Sequence, residues 1–473
     1  MQRHEYDLVV VGGGSAGYAA ARTARDAGAR VAIVDRGPLG GLCILRGCMP
    51  SKALLASSDA LADARSAHVL GLRIPSVDPD MPFIAARKRA LVHEFAADRI
   101  AALRGFPLYE GPARFLSHTE LQVGSDVVLA APRFVIATGS VIAPPVIPGL
   151  RDAGYLDSDA ALDVERIPSS LVVLGGGYVA CELGQFFARM GARTTFVIRG
   201  AHLLSGEDDD VGDALTTCFR EEGIEVVERA ALRCVERRGG TKVVRIEVAG
   251  REREIAAEEI LYCLGRVPNV EGLDLEKAGV RYHPITGIEV DATLRTSNPS
   301  IFAVGDVTGE FLLVHVAIYQ GEIAARNAVL GSEERASYDI TAAHAVFCDP
   351  QVARVGATER ELRAVGEPYV SGRYDFADHG KAMCLAKTHG FVKMVASARD
   401  GRILGGAVIG DRASELIHEV IVAMSYGATV QQFMRIPHLH PTMSEIWTYP
   451  AETCAERLLR QQPEAERAVE RAG

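Results

Sequence analysis

The chain contains one local pattern twice, and this duplication restricts the fold more than any other feature of the sequence. An apolar run at residues 8–11 leads into the glycine-rich residues 12–17, and residues 171–174 lead in the same way into residues 175–177. Short all-apolar runs are typical of strands in parallel sheets, which are buried on both faces. A glycine turn that opens a helix allows backbone amides to approach a phosphate. The sequence therefore predicts two dinucleotide-binding βαβ units.

In the first unit, each glycine has a separate expected role. Gly12 allows the tight turn, Gly14 allows the backbone to approach a pyrophosphate, and Gly17 allows the helix to pack on the strand. A second strand from Arg30 ends at Asp35, where a carboxylate can bind a pair of ribose hydroxyls. These residues predict a bound dinucleotide.

The second unit differs from the first at its ribose end. Gly175 and Gly177 repeat the glycine pattern, but Ile198 stands where an acid would select NADH. Arg199 follows, and a cation there can pair with a 2′-phosphate, with His202 as a further candidate. We therefore expect NADPH or NADH, with NADPH favoured. Two dinucleotide sites in one chain are typical of an oxidoreductase with a flavin and a nicotinamide.

Cys43 and Cys48 are close together in sequence, whereas the other seven of nine cysteines are scattered. An odd, scattered set does not fit an extracellular disulfide framework, so the pair is expected to be catalytic or metal-binding. Pro50 suits the first turn of a helix, whose N-terminus would lower the pKa of a thiol. A zinc site formed with His438 and His440 is the alternative interpretation.

The segment around these cysteines, residues 40–52, resembles the active-site signature of the class I pyridine nucleotide–disulfide oxidoreductases. Residues 136–140, 265–269 and 301–306 resemble further motifs of that family in the family's order. The family includes dihydrolipoyl dehydrogenase, glutathione reductase and mercuric reductase. The resemblance implies an α/β enzyme with two Rossmann-like dinucleotide-binding domains and a C-terminal α+β dimerisation domain. It also implies FAD, a redox-active disulfide and a homodimer.

The resemblance also assigns roles to individual residues. Cys43 would exchange with substrate and Cys48 would face the flavin, while His440 of the other subunit would be the acid–base, oriented by Glu445. No metal site is expected. The residues expected to bind the two cofactors are Gly12, Gly14, Gly17, Asp35, Gly41, Lys52, Ala113, Thr138, Gly139, Gly175, Gly177, Tyr178, Glu182, Arg199, Arg266 and Asp306. Within this set, Lys52 would pair with Glu182, and Tyr178 would gate the nicotinamide pocket.

The substrate is expected to be a small or protein-bound dithiol or disulfide, as for dihydrolipoyl dehydrogenase, because the histidine pair around Leu439 resembles that enzyme. Ile198 argues against this assignment, and residues 346–353 are more similar to mercuric reductases. Cys454 alone cannot supply the C-terminal cysteine pair of mercuric reductases or of the larger thioredoxin reductases. The alternatives are an NADPH-dependent reductase similar to glutathione or mercuric reductase, and a flavoprotein that reduces quinones, metals or oxidants.

The predicted division of the chain is an FAD-binding domain (1–155), an NAD(P)-binding domain (156–275), a central segment that completes the FAD site (276–344) and a dimerisation domain (345–473). A hairpin is expected at residues 390–401, where Asp400-Gly401 marks the turn. The net charge of −10 does not favour nucleic-acid binding. No apolar run approaches the ~20 residues of a membrane span, and the N-terminus does not resemble a secretory signal. We therefore expect a cytoplasmic protein with no membrane partner.

Overall fold

The structure, a computed structural model, describes residues 2–461. The first nine strands are β1 (Gln2–Glu5), β2 (Leu8–Val11), β3 (Val31–Asp35), β4 (Leu108–Glu110), β5 (Ala113–Phe115), β6 (Glu120–Val123), β7 (Val127–Ala130), β8 (Phe134–Ile136) and β9 (Ser140–Ile142). The next eight are β10 (Ser170–Leu174), β11 (Arg193–Val197), β12 (Glu225–Val227), β13 (Ala231–Arg238), β14 (Thr241–Val248), β15 (Arg251–Ala257), β16 (Glu259–Tyr262) and β17 (Arg266–Pro268). The last eight are β18 (Tyr282–His283), β19 (Gly287–Ile288), β20 (Ile301–Ala303), β21 (His344–Val346), β22 (Gln351–Gly356), β23 (Tyr369–Asp375), β24 (Phe391–Ser397) and β25 (Ile403–Gly410).

Within residues 2–461, fourteen α-helices connect and cover these strands. They are α1 (Ser15–Asp26), α2 (Leu42–Arg46), α3 (Cys48–Ser66), α4 (Met81–Leu103), α5 (Leu150–Ala153), α6 (Ser158–Leu162), α7 (Tyr178–Arg189), α8 (Asp209–Glu221), α9 (Val314–Leu330), α10 (Glu359–Val365), α11 (Gly380–Leu385), α12 (Ala413–Ser425), α13 (Val430–Met434) and α14 (Thr448–Gln461). None of the helices within residues 2–461 combines the length and the apolar character that a membrane crossing requires.

Both predicted βαβ units are present, each in its own parallel sheet. The first sheet has the order β20-β8-β2-β3-β4, and the second has the order β12-β11-β10-β16. Strand β2 is buried along its whole length, as its four apolar residues predict. Strand β20 lies in the predicted central segment and pairs with β8, so the chain returns to the first sheet after completing the second.

The C-terminal part forms an antiparallel sheet with the order β21-β22-β25-β24-β23. Strands β24 and β25 are adjacent and antiparallel, which confirms the hairpin predicted at residues 390–401. Helices α12 and α14 contribute to the core beside this sheet, around the buried Trp447. The α+β character expected for this part of the chain is therefore present.

One hydrophobic cluster joins all three parts of the molecule. It contains Leu54 and Leu55 of α3, Phe186 of α7, and Val346 and Phe391 of the antiparallel sheet. Because burial of large apolar side chains provides most of the favourable free energy of folding, this shared core fixes the three parts against one another. A large cavity lies at the same junction.

Candidate active site

A cavity of about 1300 Å³ extends from the first parallel sheet to the antiparallel domain. Its volume exceeds the roughly 300–1,000 Å³ that is usual for a site that holds one small ligand. Fourteen of the predicted site residues line it: Gly12, Gly14, Asp35, Gly41, Cys43, Cys48, Lys52, Ala113, Thr138, Gly139, Tyr178, Glu182, Arg266 and Asp306. The cavity therefore brings together predicted site residues that are spread along the chain from Gly12 to Asp306.

The N-terminus of α1 faces one end of this cavity. Its N-cap is Gly14, and no side chain caps the helix, so its first N–H groups can bind an anion. Gly12 has a φ of +113°, and a Cβ there would lie 2.2 Å from the Ala137 carbonyl oxygen. Gly41 has a φ of +80°, and its Cβ would lie 2.8 Å from Gly14 Cα. A side chain at either position would collide with neighbouring backbone, so only glycine allows these segments to pack this closely beside the N-terminus of α1.

Asp35 lies at the end of β3, beside this groove. Its Oδ2 accepts a hydrogen bond from the Gly13 amide at 2.6 Å, and its Oδ1 accepts one from the Gly37 amide at 2.7 Å. The two amides fix the orientation of the carboxylate, and each oxygen can still accept a further hydrogen bond. Asp35 is thus held in a fixed orientation beside the N-terminus of α1, with capacity to accept hydrogen bonds from a ligand.

The two cysteines lie near the middle of the cavity, on opposite sides of Gly47. Cys43 belongs to the short helix α2, and Cys48 is the first residue of α3; both are half-buried free thiols. A hydrogen bond from the Cys43 thiol, assisted by the charge of Lys52, lowers the pKa of Cys48 to about 7. The same bond raises the pKa of Cys43 well above that of an ordinary thiol. At neutral pH, the thiolate therefore resides mainly on Cys48.

Lys52 connects the cysteine helix to the second nucleotide unit. Its ammonium group donates to both carboxylate oxygens of Glu182, at 2.8 and 3.0 Å, and lies 4.3 Å from the centre of the Phe347 ring. Glu182 also accepts a hydrogen bond from the Phe347 amide at 3.0 Å. The Lys52–Glu182 pair expected from the sequence is present, whereas the participation of Phe347 was not predicted.

The cavity wall beyond the cysteines is polar. Asp306 Oδ2 accepts a hydrogen bond from the Ser140 hydroxyl at 2.7 Å, and burial raises the pKa of Asp306. Arg266 donates to the Ser140 hydroxyl at 2.9 Å and to the Ser140 carbonyl oxygen at 3.0 Å. Ser140 therefore fixes two predicted residues at once. The sequence did not identify it as a site residue, although it lies next to Gly139.

Tyr178 begins α7 and lines the cavity next to His344, with 5.3 Å between the ring centres. Its hydroxyl donates to Glu207 Oε1 at 3.2 Å. Glu207 is fully buried, and His344 and Arg354 contact it at 2.8 and 3.1 Å. The sequence analysis missed both His344 and Glu207, because they are 137 residues apart and no local motif connects them.

Arg199 follows β11 and is exposed, as a cation that recognises a 2′-phosphate must be. The amide of Arg229, which follows β12, donates to the carbonyl oxygen of Gly200 at 2.9 Å. Arg229, a second exposed arginine, is thus joined through its backbone to the loop that follows Arg199. His202 is buried, and its ring nitrogens contact the Leu203 carbonyl oxygen and Asp209. The expectation that His202 assists Arg199 is therefore wrong.

His440 and Glu445 form the expected pair, with 3.0 Å between Nδ1 and Oε2. The His440 side chain is 82% exposed, and neither residue lines the cavity of its own chain. His438 is turned away and contacts Glu419. Within one chain, the described residues do not bring His438 and His440 together with the two cysteines, so the alternative zinc site is not formed there.

Comparisons with known proteins agree with this geometry. Residues 6–321 match the family described as pyridine nucleotide–disulphide oxidoreductase, and residues 342–451 match the dimerisation domain of that family. The chain is 35% identical to a mercuric reductase of Streptomyces lividans, covering 96% of this chain and 97% of that one. It is 34% identical to a dihydrolipoyl dehydrogenase of Geobacillus stearothermophilus, covering 95% and 96% of the two chains.

A solved structure shares the complete fold. It is the Cu(II) complex of the HOCl-induced flavoprotein disulfide reductase RclA from Escherichia coli, with a TM-score of 0.84 and 26% sequence identity. The match covers 95% of this chain and 99% of the RclA chain. The similarity therefore extends over both nucleotide units and the antiparallel domain.

Proposed function

Because the chain belongs to the pyridine nucleotide–disulphide oxidoreductase family, whose members are FAD-dependent enzymes that use NAD(P)H, we propose that it catalyses exchange between the Cys43–Cys48 pair and an external dithiol or disulfide. A compound of the lipoamide type is the proposed substrate. The observation that carries this proposal is the cysteine pair itself: two half-buried thiols on either side of Gly47 that line the cavity beside the Lys52–Glu182 ion pair.

The residues along the cavity fit FAD. The uncapped N-terminus of α1 and the bare backbone at Gly12, Gly14 and Gly41 suit a pyrophosphate. Asp35 suits the adenosine ribose, and Asp306 suits the hydroxylated chain that follows the phosphates. When bound, FAD supplies two-electron transfer between the nicotinamide and the cysteine pair.

The cysteines can reduce a disulfide in two exchange steps. Cys43, once deprotonated, attacks one sulfur of the substrate, forms a mixed disulfide and expels the other sulfur as a thiolate that takes up a proton. The Cys48 thiolate then attacks Cys43 Sγ, which releases the second substrate thiol and leaves a Cys43–Cys48 disulfide. The substrate gains two electrons and two protons, the cysteine pair loses two electrons, and NAD(P)H restores the dithiol. In the reverse direction, a dithiol substrate reduces the cysteine pair.

These steps require a base for Cys43 and an acid for the departing thiolate. His440 can take up and release a proton, and Glu445 orients its ring. Because His440 is exposed and lies outside its own cavity, we place it in the active site of a partner subunit in a homodimer. Large apolar side chains exposed in the same region of the single chain support a dimer interface there; they are Val422, Tyr426, Met434, Ile436 and Leu439.

The proposed electron carrier is NADPH. Arg199 and Arg229 are both exposed, and they follow the adjacent strands β11 and β12 at the end of the second nucleotide unit, where a 2′-phosphate would lie. Neither guanidinium forms an ion pair with a carboxylate among the described residues. Two such cations fit the added phosphate of NADPH better than the ribose hydroxyls of NADH. We further propose a cytoplasmic location, since the odd, scattered set of cysteines does not fit an extracellular disulfide framework.

A substrate panel tests the proposed reaction. Purified holoenzyme is assayed with lipoamide, dihydrolipoamide and glutathione disulfide, and Cys43→Ser is compared with Cys384→Ser, which removes an exposed thiol elsewhere. We expect turnover of lipoamide or dihydrolipoamide that Cys43→Ser abolishes and Cys384→Ser preserves, with FAD retained in both. Full turnover by Cys43→Ser contradicts the proposed role of the cysteine pair.

Reduction of a soft metal ion is the second candidate function. The relatives include mercuric reductases, and the RclA neighbour is a Cu(II) complex. A half-buried dithiol that opens into a large cavity can bind such an ion. A different outcome is that the enzyme reduces mercuric or cupric ion and turns over none of the disulfides in the panel. In that case, reduction of a metal ion replaces dithiol–disulfide exchange as the proposed function.

A further inference from the structure

Three different potential metal ligands meet where α8 contacts the loop before β24. His389 Nδ1 lies 3.8 Å from Cys218 Sγ and 3.7 Å from Glu221 Oε2, and all three donor atoms lie within 4.8 Å of one another. In residues 2–461, no other group of three or more His, Cys, Asp or Glu side chains comes as close together. None of the three lines the large cavity, so the cluster is separate from the active site.

The spacing of this cluster suits a tetrahedral ion. Zinc bonds of about 2.3 Å to sulfur and about 2.0–2.1 Å to nitrogen and oxygen, arranged tetrahedrally, separate the ligand atoms by about 3.4–3.6 Å. The two measured separations from His389 Nδ1, 3.8 and 3.7 Å, exceed this range by only a few tenths of an ångström. Small rotations of the exposed side chains can close such a gap.

The backbone holds the three residues in place. Cys218 and Glu221 are three positions apart on α8, which puts their side chains on one face of the helix. His389 is followed by Gly390, with a φ of +88°, where a Cβ would lie 1.9 Å from the Ile409 carbonyl oxygen. This close approach fixes the path of the loop against the antiparallel sheet. Cys218 is buried, whereas Glu221 and His389 are exposed, so an ion can enter from solvent.

We propose that Cys218, Glu221 and His389 bind one divalent zinc ion, with water as the fourth ligand. A thiolate, an imidazole and a carboxylate are all accepted by zinc, whereas calcium and magnesium prefer oxygen ligands. Binding releases the Cys218 thiol proton to solvent, and no electrons are transferred. The ion would join α8 of the second nucleotide unit to the antiparallel domain and so restrain their relative movement.

Zinc binding to the oxidised holoenzyme tests this proposal. The Cys43–Cys48 pair is then a disulfide and offers no competing thiolate. Binding is measured by competition with a chromophoric chelator, and thermal unfolding is followed with and without zinc. We expect one zinc ion per chain, a higher melting temperature with zinc, and affinity reduced by about tenfold or more, roughly 1.4 kcal/mol, in Cys218→Ser and in His389→Gln.

Matched variants separate this site from incidental binding. Cys234→Ser and His93→Gln remove a thiol and an exposed imidazole from other parts of the chain, and we expect them to bind zinc as the wild type does. With cobalt, a thiolate-to-metal absorption band should appear in the wild type and be absent from Cys218→Ser. The proposal is overturned if the wild type binds no zinc, or if all four variants bind it equally.

Discussion

Glu445 Oε2 lies 3.0 Å from His440 Nδ1, although the exposed His440 ring does not line the cavity of its own chain. The other carboxylate oxygen of Glu445 lies 3.5 Å from His379 Nε2, and His379 is fully buried. Burial lowers the pKa of His379, which favours its neutral form. Glu445 therefore lies between the buried His379 ring and the exposed His440 ring.

Replacement of Glu445 by glutamine should reduce turnover of the disulfide substrate. The amide keeps the shape of the side chain but no longer stabilises a protonated His440, so we expect kcat to fall by roughly a hundredfold with little change in KM. Reduction of ferricyanide, which needs neither the dithiol nor an acid–base, serves as the control reaction and should persist. An equal loss in both reactions would indicate general damage to the enzyme instead.

Mixed dimers test whether His440 acts across the subunit interface. Cys43→Ser and His440→Gln are each expected to be inactive as homodimers. A mixed dimer would contain one site with an intact Cys43 and an intact His440 from its partner. Random assortment should then restore about a quarter of wild-type activity. If His440 serves its own chain, the mixture stays inactive.

The charge of Lys52 should control the pH dependence of Cys48. Because Lys52 helps to lower the pKa of Cys48 to about 7, the thiolate should form as the pH rises through that value. In Lys52→Met, the thiolate should form only at higher pH. The measurement is the rate of alkylation of the reduced enzyme by iodoacetamide against pH, with the modified cysteine identified by mass spectrometry. Lys277→Met, on the surface, should follow the wild-type profile.

Two arginines should determine the choice of coenzyme. Loss of a charge-assisted contact to phosphate costs about 1.5–3 kcal/mol, so Arg199→Ala and Arg229→Ala should each raise the KM for NADPH roughly ten- to a hundredfold. The KM for NADH should change little, because NADH carries no 2′-phosphate. Arg237→Ala, at an exposed position on β13, is the matched control. A wild-type enzyme that prefers NADH would contradict the assignment before any variant is made.

The sequence predicted the parts of the site that local motifs encode, and it missed the parts formed by distant residues. The glycine turns, the cysteine pair and the Lys52–Glu182 pair follow from short patterns with fixed geometry. Arg229 lies in a separate strand connection, and its amide reaches the Gly200 carbonyl oxygen only because β11 and β12 are adjacent in the sheet. His344 and Glu207 meet beside Tyr178 because the antiparallel domain packs on the second nucleotide unit, and no local pattern specifies that docking.

The contact between His344 and Glu207 should affect both the stability of the fold and the binding of the coenzyme. Burial acts to raise the pKa of Glu207, but the hydrogen bond from His344 and the charge of Arg354 outweigh it and hold that pKa below its ordinary value. A lowered carboxyl pKa means that Glu207 stabilises the fold above its ordinary pKa and that this contribution is lost as the pH falls further. Glu207→Gln removes the buried carboxylate that His344 and Arg354 contact, and breaking such a buried pair typically costs about 3–5 kcal/mol.

The cost is measured as the decrease in the free energy of urea unfolding at pH 7. As a control, Glu456→Gln breaks an exposed ion pair with Arg460 and should lower that free energy by less than about 1 kcal/mol. The same substitution weakens the support of Tyr178, so the KM for NADPH should rise if Tyr178 lies over the nicotinamide pocket. Tyr178→Phe removes only the hydroxyl contact at 3.2 Å and should change stability by about 1 kcal/mol. A Glu207→Gln enzyme as stable as the wild type would show that the buried cluster does not hold the two domains together.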